Sequence, residues 1–170
     1  MKEQRCGLHP EELRLFHGTD ESETALCICH QNFDPRMHGV HGTMFGKGAY
    51  VSATARYSHD YTNPNGEDGI RFMFCARVAV GNIVAGRPEY PRPPPLDPSK
   101  PHERLYDSCV DAVGCPQIFV IFDNDQCYPE YLIEYTGNET NIDSSNLNAV
   151  TSETRQMLMR QIVIVPTSIL

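Results

Sequence analysis

Apolar residues recur with two periods along this chain. From Phe72 they alternate, with Phe72, Phe74, Ala76, Val78 and Val80 on one side, which predicts a strand from Phe72 to Val84. Leu15-Phe16 reads as the end of a shorter apolar strand, which His17-Gly18 breaks. Residues 23 to 31 read as a helix, and another short helix begins around Ala53. Further strands are expected at 105–110, 118–122 and 129–135. Pro88, Pro91, Pro93, Pro94, Pro95, Pro98 and Pro101 crowd residues 86 to 104. Proline has no backbone N–H, so that stretch must be an extended loop. Asn138 to Ser152 is polar and turn-rich, with disorder or loose packing expected. After it, Glu153 to Gln161 suits a short helix leading to Ile162-Val163-Ile164-Val165.

Composition narrows the class. At 170 residues, 40% hydrophobic and 21% charged, the chain suits one globular domain. A formal charge of −8 and a pI near 5.3 argue against nucleic-acid binding by this segment. There is no apolar run long enough to span a bilayer and no secretory signal pattern. An intracellular protein, of nucleus or cytoplasm, is expected on that basis. Seven cysteines are an odd number without a C-x-x-C pair, so reduced thiols are expected. His38 and His41 lack third and fourth ligands nearby, and no metal is expected.

The candidate chemistry sits in three clusters: His17-Gly18-Thr19, Phe45-Gly46-Lys47-Gly48-Ala49-Tyr50, and Tyr57-Ser58-His59-Asp60-Tyr61. Glycine at position 18 lets a backbone approach a planar ligand closely. The second cluster is a glycine turn leading into a strand, and the third a short helix with Ser58 and Tyr61 on one face. An imidazole, glycine-relieved backbones, a hydroxyl and two aromatic rings can together hold ribose, carboxamide and nicotinamide ring, the parts of NAD. No Rossmann or Walker fingerprint is present. Singly, each cluster has a structural reading: a turn histidine, core tyrosines, a hairpin. Their order and spacing carry the functional one.

With Leu105-Tyr106-Asp107-Ser108-Cys109-Val110, Ile118-Phe119-Val120-Ile121-Phe122 and Tyr128 to Tyr135, these clusters make the chain resemble the catalytic domain of the poly(ADP-ribose) polymerase family, the diphtheria-toxin-like ADP-ribosyltransferases. The resemblance covers residues 11–136, leaving a 1–10 extension and a 137–170 tail. It implies an α+β fold of two packed, split, mostly antiparallel sheets around an NAD cleft, here lacking the family's first strand and helix. It also implies roles: His17 on the NAD ribose hydroxyls, Gly18 and Ser58 on the nicotinamide carboxamide, and Tyr50 and Tyr61 flanking the ring. Thr19 and Arg36 would lie on the adenosine side. Val51-Ser52 departs from the Phe-Ala usual after that tyrosine.

The family's catalytic triad is His-Tyr-Glu, and two segments compete for the glutamate's place. Aligning on Ile118-Phe119-Val120-Ile121-Phe122 puts Ile118 there; aligning on Glu130-Tyr131-Leu132-Ile133 puts Glu130 there. The first is favoured, since Tyr106 to Val110 immediately precedes that strand, as in mono-ADP-ribosylating members. The triad would then be His17, Tyr50 and Ile118. Isoleucine cannot polarise a hydroxyl of bound ADP-ribose, so elongation loses its acceptor activation, whereas transfer of one unit to a protein acceptor remains possible. The resemblance thus implies a mono-ADP-ribosyltransferase with NAD+ as substrate and proteins as acceptors. The alternative is a catalytically silent NAD-binding or protein-interaction module.

Overall fold

The alternation around Phe74 becomes the middle of an eight-stranded sheet. The structure, a computed structural model, describes residues 12–34, 43–63, 69–136 and 162–167. Its strands are β1 (Glu12–Thr19), β2 (Ala49–Ser52), β3 (Ile70–Ala79), β4 (Ile83–Ala85), β5 (Ser108–Val110), β6 (Ile118–Ile121), β7 (Cys127–Thr136) and β8 (Ile162–Pro166). The order is β4-β5-β6-β2-β1-β3-β7-β8, with β4 and β5 parallel and every other neighbouring pair antiparallel.

Hydrogen bonding runs through the whole sheet, yet β1 and β2 share the single pair Phe16↔Ser52. The two four-stranded halves are therefore hinged at one rung. This is the expected α+β, mostly antiparallel class, with its split reduced to a narrow join.

One face of the sheet carries the core. Phe74, Ala76 and Val78 are wholly buried, with Leu15, Val51, Phe119, Ile121 and Leu132 beside them. Helix α1 (Ser22–Gln31) closes this face with Ala25 and Ile28. Burying a side chain such as Phe74 stabilises by about 1.5–3 kcal/mol. Helix α2 (Ala55–His59), capped by Thr54 accepting the Tyr57 N–H, lies over the other face of β1, against Gly18.

Two sequence expectations change. β1 is not broken at His17-Gly18 but continues to Thr19, because β3 supplies a partner at every position from Glu12↔Ala79 to Thr19↔Phe72. A glycine within a strand costs roughly 0.5–1 kcal/mol, which such a ladder outweighs. The strand expected from Phe72 to Val84 is two strands. It turns at Gly81, whose φ is 59° and where Asp107 lies 2.4 Å from where a Cβ would sit. The chain there crosses from one half of the sheet to the other. Beyond these, Ile162–Pro166 in the tail pairs with Tyr131–Tyr135 as a strand at the edge of the sheet. Residues 1–10, the Asn138–Ser152 run and the helix expected at 153–161 lie outside the described residues.

In β7, Pro129 lacks a ladder donor, and the register slips there: Cys75 pairs Tyr131 while Ala76 pairs Pro129. Glu130 is the extra residue of that bulge.

Candidate active site

Where β1 and β2 part, the candidate residues gather. His17 Nδ1 is 2.7 Å from Tyr50 O, so the imidazole spans the opening that main-chain bonds leave. Its ring meets Phe33 edge-on, with centroids 5.0 Å apart and planes at 77°. Phe33 in turn packs edge-on to Phe74 at 5.7 Å. Sequence reasoning passed over Phe33, although an apolar residue directly after a helix end commonly packs back on the core.

Gly18 is glycine for a reason the sequence did not show. A Cβ there would lie 2.0 Å from Ser58 O and 3.0 Å from Thr62 Cγ2. The close approach is made by α2, not by open space for a ligand. Gly18 also keeps its place in the β1–β3 ladder opposite Met73.

Ser58 is buried and its hydroxyl is shared. Ser58 Oγ donates to Phe16 O at 2.9 Å and lies 2.9 Å from Ser52 Oγ, which donates to Thr54 O at 2.6 Å. Two hydroxyl protons serve three short contacts, so the lone pairs of this pair can still accept a bond from an amide N–H. Ser52, where the family has alanine, therefore braces Ser58.

Tyr50 uses its hydroxyl to hold the glycine turn: the Phe45 N–H donates to it at 2.8 Å and it donates to Gly46 O at 2.9 Å. Gly46 has φ 132°, backbone that only glycine adopts readily. Burial raises the Tyr50 pKa, so the phenol stays protonated. Tyr61 follows α2 and its hydroxyl is 2.9 Å from that of Tyr57, with ring centroids 5.3 Å apart. Tyr57, which opens the third cluster, is held well above the usual phenol range by burial and then by this bond. Thr19 ends β1 only 3% exposed, with no partner for Oγ1 among the described residues. Arg36 lies outside the described residues.

The two competitors for the triad position fall in opposite halves of the sheet. Ile118 pairs with Ser52 on the strand beside β2, and Tyr50 pairs with Val120, so Tyr50, Ser52 and Ile118 share one face. Ile118 is buried, and its N–H donates to Asp111 Oδ1 at 3.1 Å. Glu130 lies on β7, with β1 and β3 between it and β2. Its carboxylate accepts from Arg14 Nε at 3.2 Å and lies 3.8 Å from Arg77 Nε. Arg14 and Arg77 are directly opposed, so Glu130 separates two like charges.

Residues 2–88 match the family described as the poly(ADP-ribose) polymerase catalytic domain. The chain belongs to that family. That match ends before Ile118, but relatives extend it. Protein mono-ADP-ribosyltransferase PARP12 of Homo sapiens is 46% identical over 136 residues, 80% of this chain and 19% of its own length. Protein mono-ADP-ribosyltransferase PARP11 of Mus musculus is 41% identical over 153 residues, 79% of this chain and 45% of its own. Protein mono-ADP-ribosyltransferase PARP14 of Homo sapiens is 34% identical over 126 residues, 73% of this chain and 7% of its own. The chain thus spans under half of these relatives.

No helix among the described residues is long and apolar enough to cross a membrane, and none of their acidic, histidine and cysteine side chains cluster in threes to hold a metal. A groove of about 430 Å³ at the other end of β1, lined by Leu13, Leu15, Val80, Ile83 and Phe119, contains none of the family's candidate site residues.

Proposed function

We propose that this chain transfers a single ADP-ribose from NAD+ to a protein side chain, releasing nicotinamide. The observation that carries the reading is the position of Ile118 beside the strand of Tyr50, with Glu130 committed to two arginines across the sheet. The names of the relatives, protein mono-ADP-ribosyltransferase, support it.

In this reading the nicotinamide carboxamide meets the β1 edge at Gly18 and the Ser58–Ser52 hydroxyls, and Tyr50 and Tyr61 bound the ring. The bond from ribose C1′ to the pyridinium nitrogen breaks, and nicotinamide leaves neutral with the bonding electron pair. An acceptor carboxylate forms the new bond to C1′, and its charge cancels the positive charge developing on the ribose. No proton has to be removed by the enzyme, which is why an isoleucine suffices. Holding the acceptor near attack distance supplies the rate, since effective molarities for well-oriented groups reach about 10⁵–10⁸ M. His17 orients the ribose through its hydroxyls.

The test is incubation of the purified chain with labelled NAD+ and an acceptor extract, resolved on a gel. Sharp single bands are expected. A smear of polymer overturns mono-transfer, and NAD binding without label transfer favours the silent module.

A further inference from the structure

Helix α1 ends at Gln31, and Asn32 follows with φ 67°, the one positive φ at a non-glycine residue among those described. Its ψ of −177° puts it outside the left-handed helical cap, in a region nearly confined to glycine, so its side-chain bonds hold a strained backbone, and its own N–H closes α1 on Ile28 O at 2.9 Å. Its side chain is fully used. Nδ2 donates to Asn124 O at 2.9 Å and to Cys127 O at 2.7 Å, while Oδ1 accepts the Phe33 N–H at 2.8 Å. Two carbonyls facing the nitrogen and one N–H facing the oxygen leave only this amide orientation. Asn32 thereby fastens the end of α1 to the turn entering β7 and fixes the backbone of Phe33. Phe33 is buried, and its ring packs near-perpendicular against the imidazole of His17, whose Nδ1 is bonded to Tyr50 O.

We infer that Asn32 is a positioning residue for His17, acting through Phe33: it sets the plane of the imidazole that receives the NAD ribose. This rests on the reading of His17 as an NAD-contacting residue. An aspartate would place an acceptor against two carbonyls, and a glycine would adopt the same φ and ψ without strain while losing all three side-chain bonds. Neither change touches the NAD cleft directly.

The experiment measures kcat and KM for NAD in the full chain for Asn32→Gly, His17→Ala, Phe33→Leu and the Asn32→Gly/His17→Ala double variant. A partly unfolded population lowers apparent kcat and leaves KM where it was; a misplaced His17 weakens binding and raises KM. Asn32→Gly should raise KM roughly three- to tenfold, the factor an aromatic edge contact carries. In the His17→Ala background the same substitution should change KM by less than about twofold, because the group it positions is gone. Phe33→Leu, which keeps apolar volume but removes the ring edge, should reproduce the KM rise and carries the test if Asn32→Gly does not fold. An unchanged KM in both single variants, or an undiminished effect of Asn32→Gly in the His17→Ala background, overturns the positioning role. If His17→Ala itself leaves KM unaltered, the NAD role of His17 falls first, and the positioning role with it.

Discussion

Gly18→Ala is the smallest change that tests how the cleft is built. The added Cβ would sit 2.0 Å from Ser58 O and 3.0 Å from both Ser58 C and Thr62 Cγ2, where ordinary contact begins at 3.4 Å. β1 is laddered to β3 along its whole length, so the strand cannot yield. Helix α2 has only five residues, and the Ser58 to Phe16 bond helps to hold it down. It must therefore retreat by about 1 Å, taking Ser58 and Tyr61 with it. Overpacking of this kind costs about 1–3 kcal/mol, and a misplacement of about 1 Å costs on the order of 10²-fold in rate. Initial rates against NAD concentration, run beside a thermal melt, read both effects. A fall in Tm of roughly 2–8 °C is expected together with a loss in kcat/KM of about 10²-fold. A lowered Tm with turnover close to that of the unmodified chain would refute the link between α2 and the NAD cleft. An unchanged Tm would refute the packing argument itself.

Glu130→Gln should leave transfer within about twofold and cost no more than about 1 kcal/mol, since the pair it forms with Arg14 is partly exposed; a denaturant titration beside the labelled-NAD assay checks both, and a loss as deep as that of His17→Ala would return the triad position to Glu130. Ile118→Glu should still bind NAD but yield single bands rather than polymer, read on the same gel, because one carboxylate does not rebuild an acceptor site. His59 is held below its usual 6.5 by burial and then by Arg71, and its Nδ1 lies 2.8 Å from Tyr135 Oη. The folded state thus takes up the proton less readily than the unfolded chain, so this stabilisation is present above pH 6.5 and is lost as pH falls below it. Melts of His59→Gln against pH should show a flatter acid limb, and an identical limb would remove His59 from the account.

Much of the fold was legible because its signals are periodic. The apolar side of β3 and the helix at 23–31 follow from residue alternation and spacing alone. What misled was glycine read as punctuation. Gly18 resembles a strand breaker in isolation, yet the ladder with β3 and the carbonyl of Ser58 against its missing Cβ keep it inside β1. The opposite error hid Gly81, where the alternation of Val78 and Val80 ran on across a real turn. The candidate site was legible as a set of residues but not as a network. Phe33 acts through His17 and Phe74, far from it in sequence, and no local pattern announces it, whereas Ser52 and Tyr57 bond to neighbours within six residues. Asn32 carried no such signal, since its φ of 67° and ψ of −177° are not those of an asparagine helix cap, and its hold on Asn124 and Cys127 needed the fold.

The choice between Ile118 and Glu130 shows why a cleft forms here at all. The Ala53 N–H is given to Gln117 O, so at the Phe16–Ser52 rung it is the main-chain groups of Phe16 that face β2. Main-chain groups point the same way at every second residue of a strand, and those of Gly18 face β2 as well. No further rung joins β1 to β2 beyond Phe16, while buried main-chain groups require partners. An amide offers one N–H side and one carbonyl, which is what the next strand residue would have offered. Under the proposed function, the nicotinamide carboxamide would stand in for the missing rung, as peptides do when they extend a sheet edge. On this view the interrupted ladder is the recognition element, and the third triad position matters only for what it does beside it. Ile118 occupies the half that begins at the interruption, one strand from Tyr50. Glu130 belongs to the other half, on the bulge of β7 two strands beyond β1, where its carboxylate is held by Arg14 and Arg77.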